Sequence, residues 1–286
     1  MSLRLTLRAW PFPRGMEGEV PDLLPERLQG KTRAALAAVP VRVGRRDERL
    51  GDLFAIDGAP DGDLILAGDL APLTGLGAGM TRGRILVAGS AGTRAGAGMS
   101  GGRLEIAGDA GARAGEGMTG GVIVVRGAAG DDLGGAAPGA GRGLDRGVIL
   151  VGGAAGARAG RRMRRGLIAI GGDAGPLLGT GMLAGTIVVG GRAGDGVGTW
   201  MRRGTILLGR GPAPAAPGFA ASGAGRFGFW SLYDEALRAA GAAIPEAWRA
   251  GRFRRFVGDR SGAGLGEILV PQSDGRGTGR GMEEKP

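Results

Sequence analysis

Gly96-Ala97-Gly98-Met99-Ser100-Gly101-Gly102-Arg103-Leu104-Glu105-Ile106-Ala107-Gly108-Asp109-Ala110-Gly111 is one unit of a repeat, and its reading decides the fold. Met99 has counterparts at Met80 and Met118, 19 residues to either side. Leu144, Met163, Met182 and Met201 continue at 19 after one interval of 26. Glycine stands three residues after each, at Gly83, Gly102, Gly121, Gly147, Gly166, Gly185 and Gly204. An alternating apolar pair follows: Ile85/Val87, Leu104/Ile106, Ile123/Val125, Ile149/Val151, Ile168/Ile170, Ile187/Val189 and Ile206/Leu208. Leu64/Leu66 reads as an earlier copy and Phe54/Ile56 as a first one.

Alternation over four or five residues is a short strand with one buried face. The flanking glycines supply tight corners that a side chain would obstruct. Nineteen residues leave too little chain for a strand–helix–strand crossover. They suffice for one coil of a solenoid built from short strands and bends. Coils stacked about 4.8 Å apart place like residues in columns. Alanine at Ala91, Ala110, Ala129, Ala155, Ala174 and Ala193 suits a narrow corner. The expected fold is an all-β, right-handed parallel β-helix of about seven to eight coils with small helix-containing caps.

Outward from the repeat, the ends differ. Residues 2–8 alternate like a strand, and residues 23–38 read as one helix with Pro25 near its start and Pro40 beyond its end. Residues 58–199 hold no aromatic, whereas 8 of the 12 lie between Phe219 and Phe256. A helix is expected over Ser231–Ala240, with Leu232, Ala236, Leu237 and Ala240 on its apolar side. Trp248, Phe253 and Phe256 then stand among Arg249, Arg252, Arg254 and Arg255. That segment reads as a cap on the last coil or as a surface that also docks another subunit. The expected organisation is an N-terminal cap over 1–57, a repeat domain over 58–211, a C-terminal cap over 212–270 and a flexible tail over 271–286. The long interval inserts seven residues around 134–143, as a surface bulge or a loop that touches a partner.

Composition narrows the chemistry. Glycine makes up 65 of 286 residues, but 43% hydrophobic residues argue against disorder, and glycine has no collagen period. No apolar run reaches the length of a membrane span, and no signal-peptide core precedes the charged N-terminal residues. The expected address is the cytoplasm. Cysteine and histidine are both absent, which removes thiol nucleophiles, thiolate metal sites and the commonest general base. Net charge is +10, with arginine at all basic positions but Lys31 and Lys285. That balance attracts acidic partners, yet no nucleic-acid motif or stacking platform accompanies it. The glycine strings match neither a P-loop nor a dinucleotide fingerprint.

Two side-chain groups remain. Asp131-Asp132 with Asp145 is the densest acidic cluster; its oxygens suit a divalent ion, but its place in a turn favours local hydrogen bonding. Asp69, Asp109 and Asp173 recur at one coil position and read as turn residues. Arg82, Arg146, Arg165 and Arg203 share the position two after the methionine column, with Arg164 and Arg202 beside them. They form either a solvated edge or a cationic stripe for carboxylates of a partner or polyanionic cofactor. No catalytic or metal-ligating residue is assigned.

The pattern G-x-x-M-x-x-G-x-I-x-V-x-G-x-A-G resembles the C-type subunit of formylmethanofuran dehydrogenase. Leu53-Phe54-Ala55-Ile56, Gly258-Asp259 and Gly264-Leu265-Gly266-Glu267-Ile268-Leu269 extend the likeness from about residue 40 to 270. A similar repeat forms the C-terminal domain of the glutamate synthase large subunit, whose amidotransferase and flavin domains need far more chain. The resemblance implies a non-catalytic structural subunit of a one-carbon complex. In the bacterial formyltransferase/hydrolase form, a formyl group passes from tetrahydromethanopterin to a methanofuran-type carrier and leaves as formate. In the archaeal, redox-active form, a partner carries a molybdenum or tungsten pterin. Amidohydrolase-like, formyltransferase or molybdopterin-type subunits are the implied partners, and this chain holds no cofactor of its own. The implied carrier has a glutamate-rich tail, for which Arg164, Arg165, Arg202 and Arg203 are candidate contacts. A free-standing solenoid and an enzyme in its own right are the remaining alternatives.

Overall fold

The alternation at the start of the chain becomes strand β1 (Leu3–Leu7), which buries Leu3, Leu5 and Leu7. A computed structural model describes residues 2–60, 62–211, 217–228, 252–260 and 264–272, with Ser231, Tyr233, Glu235, Arg238 and Trp248. After β1 come β2 (Gly18–Glu19), helices α1 (Pro25–Leu28) and α2 (Arg33–Ala37), strands β3 (Pro40–Val43) and β4 (Arg46–Arg49), helix α3 (Leu50–Leu53) and strand β5 (Phe54–Asp57). The single helix expected over 23–38 is therefore two. Gly30, at φ 74°, turns the chain between them. Thr32 then starts a new helix, its Oγ1 accepting a hydrogen bond from Ala35 N at 3.3 Å.

The repeat supplies β6 (Leu64–Ala67), β7 (Leu73–Thr74), β8 (Arg84–Val87), β9 (Ser100–Ile106), β10 (Gly120–Val125), β11 (Val148–Val151), β12 (Leu167–Ile170), β13 (Thr186–Val189) and β14 (Arg203–Leu208). Strands β15 (Ala220–Arg226), β16 (Arg252–Gly258) and β17 (Leu265–Pro271) follow. The chain is mostly β, dominated by one 13-stranded sheet in the order β15-β16-β17-β14-β13-β12-β11-β10-β9-β8-β6-β1-β5. A small sheet of β4-β3-β2-β7 joins the N-terminal segment to the repeat. From β6 to β14 the neighbours run parallel. One register line joins Ile85, Leu104, Ile123, Ile149, Ile168, Ile187, Ile206 and finally Ile268. All eight are fully buried. The alanine column forms its own line of parallel bridges, from Leu70 through Ala91 to Ala193. Every member of the Met80-to-Met201 column is also fully buried. Among the described residues no helix is long and apolar enough to cross a membrane.

Three expectations need correction. Phe54/Ile56 is not a first copy of the repeat, because β5 runs antiparallel to β1, which occupies the parallel place beside β6. Only 10 residues separate Phe54 from Leu64, too few for a 19-residue coil. The strands do not all have one buried face: the outward residues Val124, Leu150, Ala169, Val188 and Leu207 are buried as well. They form a second apolar cluster with Trp248, Phe253 and Leu269. So part of the aromatic C-terminal segment lies on the outer face of the sheet, where Trp248 Nε1 donates to Leu208 O at 3.2 Å. Phe219 and Phe256 instead pack against the inner core. Third, chain order continues into β17 at Pro271, where a tail was expected to start. Residues 273–286 of that tail lie outside the described residues. The Ser231–Ala240 helix is helical at Ser231, Tyr233, Glu235 and Arg238, while Leu232, Ala236, Leu237, Ala240 and Arg249 lie outside the described residues.

Candidate functional site

The acidic cluster is occupied by the protein itself. Asp131 Oδ1 accepts from Ala157 N at 2.8 Å, one repeat further along. Asp109 and Asp173 do the same for Ala128 N and Arg192 N, both at 2.7 Å. These carboxylates tie one repeat to the next, whereas Asp69 caps its own turn through Ala71 N at 3.2 Å. Asp132 pairs with Arg158 at 2.8 Å and Arg161 at 2.7 Å, and Asp145 with Arg164 at 3.2 Å. On the same side, the buried Glu116 pairs with Arg113 at 2.7 Å and Arg94 at 3.3 Å. Among the described residues, no three metal-ligating side chains gather.

Burial, the largest influence on Asp132, pushes its carboxyl up. Hydrogen bonds from Arg158 and Arg161, with their charges, outweigh it and hold the group below the ordinary aspartate value. A carboxylate held low in the folded state stabilises the protein above its unfolded pKa, near about 3.9. That contribution disappears as the pH falls through the folded value. Asp132→Asn is therefore expected to cost about 1–2 kcal/mol at neutral pH. In thermal melts, the gap between variant and wild type should narrow steadily below about pH 4.

The predicted arginines divide. Arg164 is engaged with Asp145. Arg82, Arg146, Arg165, Arg202 and Arg203 are exposed. Arg203 opens β14, and neither it nor Arg165 lines the cleft that Arg202 enters. Arg202 alone of the four candidates enters a cleft of about 580 Å³ lined by Gly141, Arg161, Arg162, Thr180, Gly181, Leu183, Trp200 and Arg202.

That cleft has a local cause. The residue before each methionine takes a left-handed conformation and is normally glycine, as at Gly79, Gly98, Gly117 and Gly181. Arg162, at φ 55°, and Trp200, at φ 56°, occupy the same position. Gly181, stacked between them, carries no side chain; Arg162 Cγ lies 3.4 Å from where its Cβ would stand, and Arg162 and Trp200 line the cleft on either side in chain order. The inserted segment closes one side. It folds back through Leu144 N donating to Gly134 O at 2.8 Å. Arg161 Nη2 donates to Ala136 O at 2.6 Å and Arg162 Nη1 to Ala140 O at 3.1 Å. The insertion is thus a pinned wall of the cleft. Reading the sequence for charge missed Arg161, Arg162 and Trp200. The signal that finds them is departure from glycine in the column before methionine.

No family model and no curated protein matches the chain. Among solved structures it is similar to a chain in the X-ray crystal structure of the formyltransferase/hydrolase complex (FhcABCD) from Methylorubrum extorquens in complex with methylofuran. The two are 37% identical, with a TM-score of 0.84, over 94% of this chain and 100% of that one.

Proposed function

Because this chain belongs to the family of subunits that build the formyltransferase/hydrolase complex, we propose that it is the C-type subunit, a non-catalytic scaffold of such a complex. Its repeat is read here as a right-handed parallel β-helix, supported by parallel in-register pairs 19 residues apart and by the bridged alanine column. The single observation that carries the function is full-length similarity at 37% identity to a chain of that complex. The non-catalytic reading draws on the carboxylates: those singled out by the sequence hold neighbouring coils or arginines and are not left free for acid–base work. The partners proposed are a formyltransferase and an amidohydrolase-like subunit, which would pass formyl from tetrahydromethanopterin to a methanofuran-type carrier and release formate. The matched complex is a formyltransferase/hydrolase, which supports this form over one carrying a molybdenum or tungsten pterin.

Affinity purification of the tagged chain from its native cells is expected to bring down both partners in fixed ratio. Formyl transfer or hydrolysis by the purified chain alone would overturn the scaffold reading, and recovery of a metal–pterin protein would replace the hydrolytic complex with the redox one. The arginine stripe is proposed to help hold the carrier's acidic tail. Replacing Arg164, Arg165, Arg202 and Arg203 with serine is expected to weaken carrier binding by about tenfold, mainly through the three exposed arginines at ~0.2–1 kcal/mol each, since Arg164 is already paired with Asp145. Unchanged affinity would remove the stripe from the proposal.

A further inference from the structure

The slot between Arg162 and Trp200 has features that coil stacking does not require. Four coils place glycine at this left-handed position. A non-glycine residue there costs about 1–2 kcal/mol of backbone strain. Such strain persists where the side chain is used. Trp200 is 70% exposed, so its ring contributes little to the core. Its backbone is nevertheless fixed: Trp200 N donates to Oδ2 of the buried Asp259 at 3.0 Å. The ring is thus held outward on a rigid mount, at little further ordering cost on contact. Two coil spacings put Arg162 and Trp200 about 10 Å apart across Gly181, the width of one extended polypeptide. The lining carries no carboxylate and three arginines, of which Arg161 is already held by Asp132 and the Ala136 carbonyl. Arg202 has no ion-pair partner among the described residues, and Arg162 is satisfied only in part, by a carbonyl.

We infer that this slot docks an extended acidic segment of a partner subunit, its carboxylates on Arg162 and Arg202 and an apolar side chain on the Trp200 ring. Tryptophan and arginine in a rigid concave setting are the residues that dominate protein interfaces, and this charge pattern selects carboxylates. The inference rests on the chain being part of a complex; it shares Arg202 with the arginine stripe, so Arg162 and Trp200, which lie outside that stripe, are the residues that test it.

Trp200→Gly and Arg162→Gly restore the residue that neighbouring coils use, so each variant alone is expected to melt within about 2 °C of wild type. Each should raise the dissociation constant for carrier-free partner subunits, measured by mass photometry, at least about tenfold. Adding Arg202→Ser should flatten the salt dependence of assembly. Wild-type affinity in all variants would overturn the docking surface. So would normal assembly with weakened carrier binding, because the occupant would then be the carrier. A large fall in melting temperature would give these residues a structural role and overturn it as well. If the wild-type chain itself binds neither partner, the reading as part of a complex fails, which is a different result from failure of the variants alone.

Discussion

Gly147→Ala is expected to remove about 3–5 kcal/mol of stability, lowering the melting temperature by roughly 10 °C in a chain of this size. Two costs add. Gly147 sits at φ 101°, outside the conformations an L-residue adopts readily. A Cβ there would also stand 2.7 Å from Gly121 O and 2.8 Å from Met118 Cε, in the preceding coil. The flexible Met118 side chain can shift, but the Gly121 carbonyl cannot, because Gly121 belongs to the parallel ladder and Gly120 C stands 3.0 Å away on the same backbone. Gly139→Ala separates the two costs. Gly139 also has a positive φ, 77°, but nothing lies within 4 Å of its Cβ position. That variant should lose only about 1 kcal/mol. Equal losses at both sites in thermal melts would mean that coil-to-coil contact contributes nothing, and that conformational strain alone selects glycine.

The same contact explains why so much of the array is legible in the sequence. In-register pairing repeats one environment every 19 residues, apart from the one interval of 26, so each environment prints its requirement as a column: Ile85 to Ile206 on the inner face of the sheet, Met80 to Met201 in the core, Ala91 to Ala193 along the line of parallel bridges. Interactions outside that register leave no such print. Val124, Val188 and Leu207 alternate like outward residues, and only a segment some forty residues or more further along the chain, at Trp248 and Phe253, makes them interior. Phe54-Ala55-Ile56 matches the repeat locally, yet the strand that claims the neighbouring place comes from the start of the chain. The cleft was hidden for a third reason. It arises where the repeat is broken, at an insertion and at two departures from glycine, whereas recurrence marks only what the coils share. Arg202 was found because it lies beside the stripe; Arg162 and Trp200 had to be read against the column they violate.

Removing β16 and β17, by ending the chain at Gly251, is expected to abolish the soluble, defined species and yield high-mass assemblies by light scattering. Both ends of the large sheet turn antiparallel: β5 closes on β1, and β15 and β16 close on β17. A purely parallel stack would present at each end a strand matched in register and side chains to another copy of itself, the arrangement that favours edge-to-edge growth. Antiparallel strands end that match. The outermost, β15, adds a register shift between Ala221 and Ala224 and a largely exposed, glycine-rich sequence that offers little to pair with. Without β16 and β17, β14 becomes the edge, with Ile206, Leu207 and Leu208 behind it. The fully buried Phe253, Ile268 and Leu269 are lost, and the cover over Ile206 and Leu207 goes with them. At about 1.5–3 kcal/mol per buried side chain, the loss is roughly 5–10 kcal/mol, comparable to the whole stability of an ordinary domain. A truncated chain that stayed a single soluble species with an unchanged melting temperature would show that the parallel strands are self-sufficient and that the antiparallel strands have another purpose.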